Sequence, residues 1–135
     1  MTIIVTPAEI EEYRSQLQAY PEALKALDVL EEWDGDLADA AESIAKRQGI
    51  EGVETNADFR WFDQNLEKCQ KFICQSEYKD LRNEYISTLI PVLTEFVGSS
   101  LGCPPGTATL LATPFTLTIA KQGMDKFCQS SLPSS

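Results

Sequence analysis

The 135-residue sequence contains no histidine, and its 11 basic residues are outnumbered by 21 acidic ones, which gives a formal net charge of −10. Without imidazole there is no Ser-His or Cys-His nucleophile pair and no histidine ligand for zinc, copper or haem. The shortage of Lys and Arg disfavours binding to nucleic acid or anionic lipid, because both need clustered positive charge. These two deficits exclude most hydrolase, metalloenzyme and nucleic-acid-binding templates.

The net negative charge of the chain comes entirely from its first 58 residues. Residues 1–58 hold fourteen acidic and four basic residues, whereas residues 59–135 hold seven of each. Residues 96–120 carry no charged residue at all. This asymmetry predicts an acidic, solvent-facing unit joined to a neutral and unusually apolar one.

Length and composition are typical of one globular domain, or of two small subdomains that share a core. Helix signals dominate and no segment shows the alternation of a strand, so we predict an all-α protein of about six helices. We divide it into an acidic three-helix unit (1–50), a connector (51–56), a helical bundle with an apolar C-terminal helix (57–129) and a loose tail (130–135).

Three helices are predicted in the acidic unit. Thr6 to Glu9 form a capping box with Pro at the first helical position, which starts the first helix. Tyr20-Pro21 ends this helix and opens the second, because the residue before a proline avoids the α region. Gly35 suits a left-handed turn and Asp36 can cap the third helix. The predicted helices span about 7–19, 21–33 and 37–48.

The bundle begins with an apolar stripe and ends with the uncharged segment. We predict a fourth helix capped by Asn56, with its stripe at Phe59, Phe62, Leu66, Cys69 and Ile73. Ser76 is predicted to cap a fifth helix that Pro91 kinks. Gly102 to Gly106 are expected to form a loop, and a last apolar helix is expected from Thr107 to about Gln122, interrupted or restarted at Thr113-Pro114, with one further turn at 124–128.

The cysteines and the N-terminus favour the cytoplasm. The first six residues lack the basic and apolar regions of a secretory signal, and nothing else points to export. We therefore expect Cys69, Cys74, Cys103 and Cys128 to be reduced, either buried or idle, although two disulfides are possible in an oxidising compartment. Cys69 and Cys74 point about 140° apart on a helix, so they cannot pair with each other or share a metal ion.

The acidic residues are most simply a solvated face, with local roles at helix ends. The segment from Asp34 to Asp39 superficially suggests a calcium loop, but it lacks the spacing and the terminal Glu of an EF-hand. Four carboxylates stand out as a possible docking surface for a basic partner, where rim charges act mainly on the association rate. These are Glu31, Glu32, Asp34 and Asp36.

Residues 24–49 resemble the second and third helices of the ubiquitin-associated-like fold, especially the N-terminal domain of elongation factor Ts. The resemblance depends on Ala26-Leu27, Gly35-Asp36, Ala40 and the ending Lys46-Arg47 with Gly49. It implies a small three-helix docking module rather than elongation-factor activity. The family's Gly-containing loop between its first two helices is replaced here by Tyr20-Pro21.

These observations predict a noncatalytic protein-protein interaction or regulatory module that uses no cofactor and no metal. One alternative is a structural homo-oligomer or peripheral membrane subunit that uses residues 96–120, although the run Thr107 to Ala120 is too short to span a bilayer. A second alternative is a small-molecule-binding protein or enzyme with a pocket lined by Trp61, Tyr85 and the loop that contains Cys103.

Overall fold

The computed structural model describes residues 3–50, 53, 60–75 and 86–129, and it confirms the predicted all-α fold. Within these residues the only β pairing is an isolated bridge between Ile4 and Asp36. Predictions for Asn56, Phe59 and residues 76–85 lie outside the described residues. The helices are α1 (Pro7–Gln16), α2 (Pro21–Glu32), α3 (Leu37–Arg47), α4 (Trp61–Ile73), α5 (Ile86–Leu101), α6 (Pro105–Gln122) and α7 (Met124–Gln129).

The helix starts of the acidic unit follow the predicted caps. Thr6 Oγ1 accepts from the Glu9 N–H at 3.2 Å, and Glu9 Oε1 accepts from the Thr6 N–H at 2.9 Å, which completes the capping box. Asp36 caps α3 by accepting from the Asp39 N–H at 2.9 Å. Helix α1 is shorter than predicted: it ends at Gln16, and the buried Leu17 follows as its C-cap.

Helix α6 lies at the centre of the molecule, where it packs against α5, α2 and α3. Every residue from Leu111 to Ile119 is buried. One hydrophobic cluster extends from Val5 to Phe127, so the acidic unit and the bundle share a core. Much of the uncharged segment 96–120 is therefore used to fill the protein's own interior.

Helix α6 is continuous through Pro114, and the predicted interruption at Thr113-Pro114 is wrong. It also begins at Pro105, because proline suits the first helical turn, where its missing N–H has no partner to lose. The Thr113, Thr116 and Thr118 hydroxyls donate to carbonyls four residues earlier at 2.8–2.9 Å. Burial on all sides and these internal hydrogen bonds let a Pro- and Thr-containing sequence remain helical.

Pro91 lies inside α5, and a distant tyrosine compensates for the hydrogen bond that it cannot make. A residue at position 91 would normally donate to the Ser87 carbonyl, four residues earlier. Instead, the Tyr20 hydroxyl donates to the Ser87 carbonyl at 3.1 Å. The corner between α1 and α2 is thereby attached to α5.

We expect Tyr20→Phe to lower the free energy of unfolding by about 1 kcal/mol, because the part-buried Ser87 carbonyl loses its donor. In a Pro91→Ala background, the new Ala N–H takes over that carbonyl, and Tyr20→Phe should cost less than half as much. Urea unfolding of the four proteins of this double-mutant cycle measures the difference. Equal costs in both backgrounds would show that Tyr20 does not replace the missing helical bond.

A buried ion pair joins α3 to the start of α4. Glu42 is only 6% exposed and accepts two hydrogen bonds from Arg60, at 2.7 and 3.3 Å, and one from the Phe62 N–H at 3.1 Å. Arg60, the N-cap residue of α4, has no side-chain capping bond of its own, so the Glu42 carboxylate supplies the cap from another helix. Hydrogen bonding to Glu42, and to Asp39 at 2.8 Å, raises the pKa of Arg60.

The cysteines are not all reduced, contrary to the sequence-based expectation. Cys74 at the end of α4 and Cys128 in α7 form a disulfide, with Cα atoms 5.5 Å apart and 54 positions between them in sequence. Cys69 and Cys103 are free. The expectation failed for the bonded pair because α7 returns to the end of α4, a long-range approach that leaves no local pattern.

Among the described helices, none is both long enough and apolar enough to cross a membrane by itself. Helices α5 and α6 reach that length and mean hydropathy only as a pair, and they are bent by 114° relative to each other.

Candidate functional site

The N-terminal segment lies against the turn between α2 and α3. The Val5 N–H donates to the Gly35 carbonyl at 2.8 Å, and the Leu37 N–H donates to the Ile3 carbonyl at 3.2 Å. Gly35 has a φ of +83°, and a Cβ atom placed there would lie 2.0 Å from the Val5 carbonyl oxygen. Only glycine permits both this backbone conformation and this close approach.

This contact forms a small cleft beside the turn, which we call the acidic cleft. It has a volume of about 190 Å³. Val5 and Ile10 form buried apolar parts of its wall, and Glu31 and Asp34 add two carboxylates. Its lining residues are Val5, Pro7, Ile10, Glu31, Asp34 and Gly35.

Two large apolar side chains are exposed at residues that are next in sequence to cleft-lining ones. Ile4 is 47% exposed and Trp33 is 43% exposed, and within the described part of the chain they are the two exposed large hydrophobic residues. Each adjoins a cleft-lining residue in sequence, Ile4 beside Val5 and Trp33 beside Asp34. Exposed aromatic and aliphatic groups beside a cleft are typical of contact surfaces.

The structure separates the four predicted docking carboxylates by what each one contacts. Glu31 forms an ion pair with Arg14. Glu32 accepts from Arg47 at 3.1 and 3.3 Å, which lowers the pKa of Glu32. Asp36 is occupied as the cap of α3. The described residues give the Asp34 carboxylate no hydrogen bond or ion pair.

Carboxylates outnumber cations around the acidic cleft. Arg14 contacts Asp28 at 2.8 Å and Glu11 at 3.5 Å as well as Glu31. Three carboxylates thus share one guanidinium, and Asp34 adds a further carboxylate to the lining of the cleft. The excess negative charge makes the cleft complementary to a cationic group.

Two of the residues predicted to line a small-molecule pocket are described, and both lie away from the acidic cleft. Trp61 is buried in the core, with its ring centroid 6.2 Å from that of Phe115. Cys103 lies half-buried between α5 and α6, and burial raises the pKa of its thiol. Tyr85 is outside the described residues. Neither Trp61 nor Cys103 lines the acidic cleft.

A second surface feature lies between α4 and α5. The rings of Phe72 and Phe96 stack with centroids 4.4 Å apart, and both rings line two adjoining hollows of about 330 and 400 Å³. Lys71 and Glu95 are also among the lining residues, so this groove lacks the single sign of charge found at the acidic cleft.

Sequence reasoning identified the acidic character of the site but missed its apolar part. Trp33, which the sequence analysis did not single out, is the C-cap residue of α2 and is exposed. The role of Ile4 and Val5 depends on a contact with residues thirty positions away. The one available signal was the Asp34-Gly35-Asp36 turn, whose glycine permits that contact.

Comparisons with protein-family models, with curated proteins and with solved structures find no match to this chain. Within residues 3–50, 53, 60–75 and 86–129, no three Cys, Asp or Glu side chains come together in a way that could hold a metal ion. The resemblance to the ubiquitin-associated-like fold stays a prediction.

Proposed function

We propose that this chain is a noncatalytic protein-protein interaction module whose acidic cleft binds a basic segment of a partner protein. One observation carries the proposal. The carboxylate of Asp34 has no partner among the described residues, and it lines the acidic cleft next in sequence to the exposed Trp33. The segment that fits presents an apolar side chain to the wall formed by Val5 and Ile10. A neighbouring Lys or Arg then pairs with Asp34.

Charge favours this class of partner. The three carboxylates that contact Arg14, together with Asp34 in the cleft lining, attract a cationic segment over about one Debye length, roughly 10 Å at 0.1 M salt, and thereby raise its rate of association. Asp34 can bind a cation without first breaking an ion pair to any of the described residues. Glu31 and Glu32 already have cationic partners and contribute mainly to the surrounding potential.

The apolar contacts supply most of the binding free energy, which exposed ion pairs alone do not provide. Exposed ion pairs contribute about 0–1 kcal/mol each, whereas a well-buried aromatic side chain at an interface can contribute about 2 kcal/mol or more. Trp33 is the large aromatic side chain available at this surface. We therefore assign the affinity mainly to Trp33 and the cleft wall, and the choice of a basic partner to Asp34.

The composition of the cleft supports binding rather than catalysis. Among the described residues, its lining offers apolar groups and the carboxylates of Glu31 and Asp34, and Glu31 is already held in an ion pair with Arg14. The resemblance of residues 24–49 to small helical docking domains points the same way. For the compartment, we propose the cytoplasm.

We expect Trp33→Ala and Asp34→Lys each to weaken capture of the partner from a native lysate by at least about tenfold. The first variant removes the aromatic contact, and the second removes the carboxylate that pairs with the partner's Lys or Arg. Raising the salt concentration from about 0.1 to about 0.5 M should weaken capture by the native protein more than capture by Asp34→Lys. Mass spectrometry of the captured proteins, compared between variants, gives the readout.

The matched control is Glu12→Lys, which makes the same change of charge at an exposed position of α1 that does not line the cleft. Partners that Asp34→Lys and Glu12→Lys retain equally well would overturn the proposal. Circular dichroism of each variant should show unchanged helix content, since both positions are on the surface.

A further inference from the structure

Helix α7 depends for its position on attachments to the rest of the molecule. It has six residues, too few for a helix to be stable by itself in water. Gly123, with a φ of +88°, separates it from α6 and breaks the helical path between them. Its place must therefore be fixed by side-chain contacts and covalent bonds.

Three attachments join α7 to the bundle. The Phe127 side chain is fully buried in the shared core. Gln70 Nε2 of α4 donates to the Phe127 carbonyl at 2.7 Å. One position further along, Cys128 is bonded to Cys74 at the end of the same helix α4. The noncovalent and covalent attachments thus act on the same turn of α7.

The disulfide is more accessible than the free thiol in the core. Cys74 and Cys128 are both intermediate in exposure, whereas Cys69 is 1% exposed. Burial also raises the pKa of the Cys69 thiol to about 12, so that little thiolate forms there near neutral pH. A soluble reductant therefore meets the bonded pair nearer to the surface than it meets Cys69.

We propose that the Cys74–Cys128 disulfide is a thiol-exchange site that a dithiol reductant opens, and that opening releases α7 from α4. A thiolate of the reductant attacks one of the two sulfurs, forming a mixed disulfide and expelling the other cysteine as a thiolate. The second thiol of the reductant then displaces the remaining cysteine. Two electrons and two protons pass to the cysteine pair, and the reductant becomes a disulfide.

Release has a local structural consequence. Without the covalent bond, the position of α7 depends on noncovalent contacts, among them the hydrogen bond from Gln70 and the insertion of Phe127, and local opening competes with these contacts. Departure of Phe127 removes a fully buried side chain from the shared core and leaves apolar surface of that core uncovered. This inference is independent of the acidic cleft.

Counting reactive thiols in the folded protein tests accessibility. Air-oxidised protein treated with iodoacetamide should gain one adduct, at Cys103, because Cys69 is buried and the other two cysteines are bonded. After treatment with dithiothreitol it should gain three, the new ones at Cys74 and Cys128. A count that stays at one after reduction would overturn the proposal, and so would protein that forms no bond under oxidising conditions.

Hydrogen exchange tests whether reduction of the disulfide releases α7 from α4. Reduction should speed exchange of the α7 amides from Lys126 to Gln129 by at least about tenfold, while the α6 amides from Leu111 to Ile119 keep their rates. The Cys74→Ser/Cys128→Ser variant should exchange rapidly at α7 without reductant, and Cys103→Ser should behave as the native protein. Unchanged α7 exchange in reduced native protein would overturn the proposal even if both thiols become reactive, and this comparison requires no variant to fold.

Discussion

Replacing Glu42 with Ala should lower the free energy of unfolding by about 3 kcal/mol, a large fraction of the stability of a domain of this size. The variant leaves the Arg60 guanidinium half-buried without its main partner, and it leaves the Phe62 N–H without an acceptor. The estimate lies at the low end for a broken buried ion pair, because the Arg60 side chain keeps 29% exposure and some hydration. Urea denaturation measures the loss.

Two further variants separate the loss of the ion pair with Arg60 from the loss of the acceptor for the Phe62 N–H. Asp39→Ala removes the other hydrogen bond to Arg60, but the Asp39 side chain is 40% exposed, so it should cost about 1 kcal/mol or less. Glu42→Gln keeps an acceptor for the Phe62 N–H and loses the charge, so it should fall between the two alanine variants. A cost for Glu42→Ala no larger than that for Asp39→Ala would contradict a cross-helix cap.

Gly35→Ala is the second substitution expected to have a large effect, about 3 kcal/mol. A non-glycine residue in the left-handed region costs about 1–2 kcal/mol. The added Cβ would also lie 2.0 Å from the Val5 carbonyl oxygen, so the N-terminal segment must move away and the hydrogen bond between Val5 and Gly35 must lengthen or break. The acidic cleft should open at the same time, since Val5 and Gly35 both line it.

Gly49→Ala measures the backbone cost alone, so the steric part of the Gly35→Ala effect is the difference between the two variants. Gly49 also has a positive φ, +76°, but a Cβ atom at this position would have no neighbour within 4 Å, so only the backbone cost of about 1–2 kcal/mol applies. Thermal and urea unfolding of both variants give the difference. Equal losses at the two positions would contradict the close approach of Val5 to Gly35.

Local sequence patterns predicted most of the helical fold. Capping residues such as Thr6, Glu9 and Asp36 act on backbone groups three positions away, so their pattern is visible without any tertiary structure. The apolar stripe of α4 was also predicted, and its described members Phe62, Leu66, Cys69 and Ile73 are buried. These features depend on helical periodicity alone.

Contacts between distant residues could not be predicted in the same way. The pairs Glu42 and Arg60, Tyr20 and Ser87, and Cys74 and Cys128 are 18, 67 and 54 positions apart. No spacing rule links such residues, because each pair depends on how whole helices pack. The effect of Pro114 on α6 could not be predicted from the sequence either, because it depends on the burial of the helix around it.

The candidate site was only partly predictable for the same reason. Composition indicated an acidic surface near residues 31–36, but it could not show that Glu31 and Glu32 pair with arginines of other helices and that Asp34 has no partner among the described residues. The apolar wall of the cleft depends on Val5 reaching Gly35 from the other end of the unit. The charge of the site could therefore be predicted from the sequence, whereas its shape could not.

The most direct test of the acidic cleft is photo-crosslinking in the native host, with benzoylphenylalanine replacing Trp33 and, as a control, Glu12. Our account predicts adducts from position 33 that map to a basic segment of one partner and that disappear when Asp34→Lys is added. Adducts from position 12 should be absent or unrelated. The same adducts from both positions, or adducts from position 33 that persist with Asp34→Lys, would contradict it.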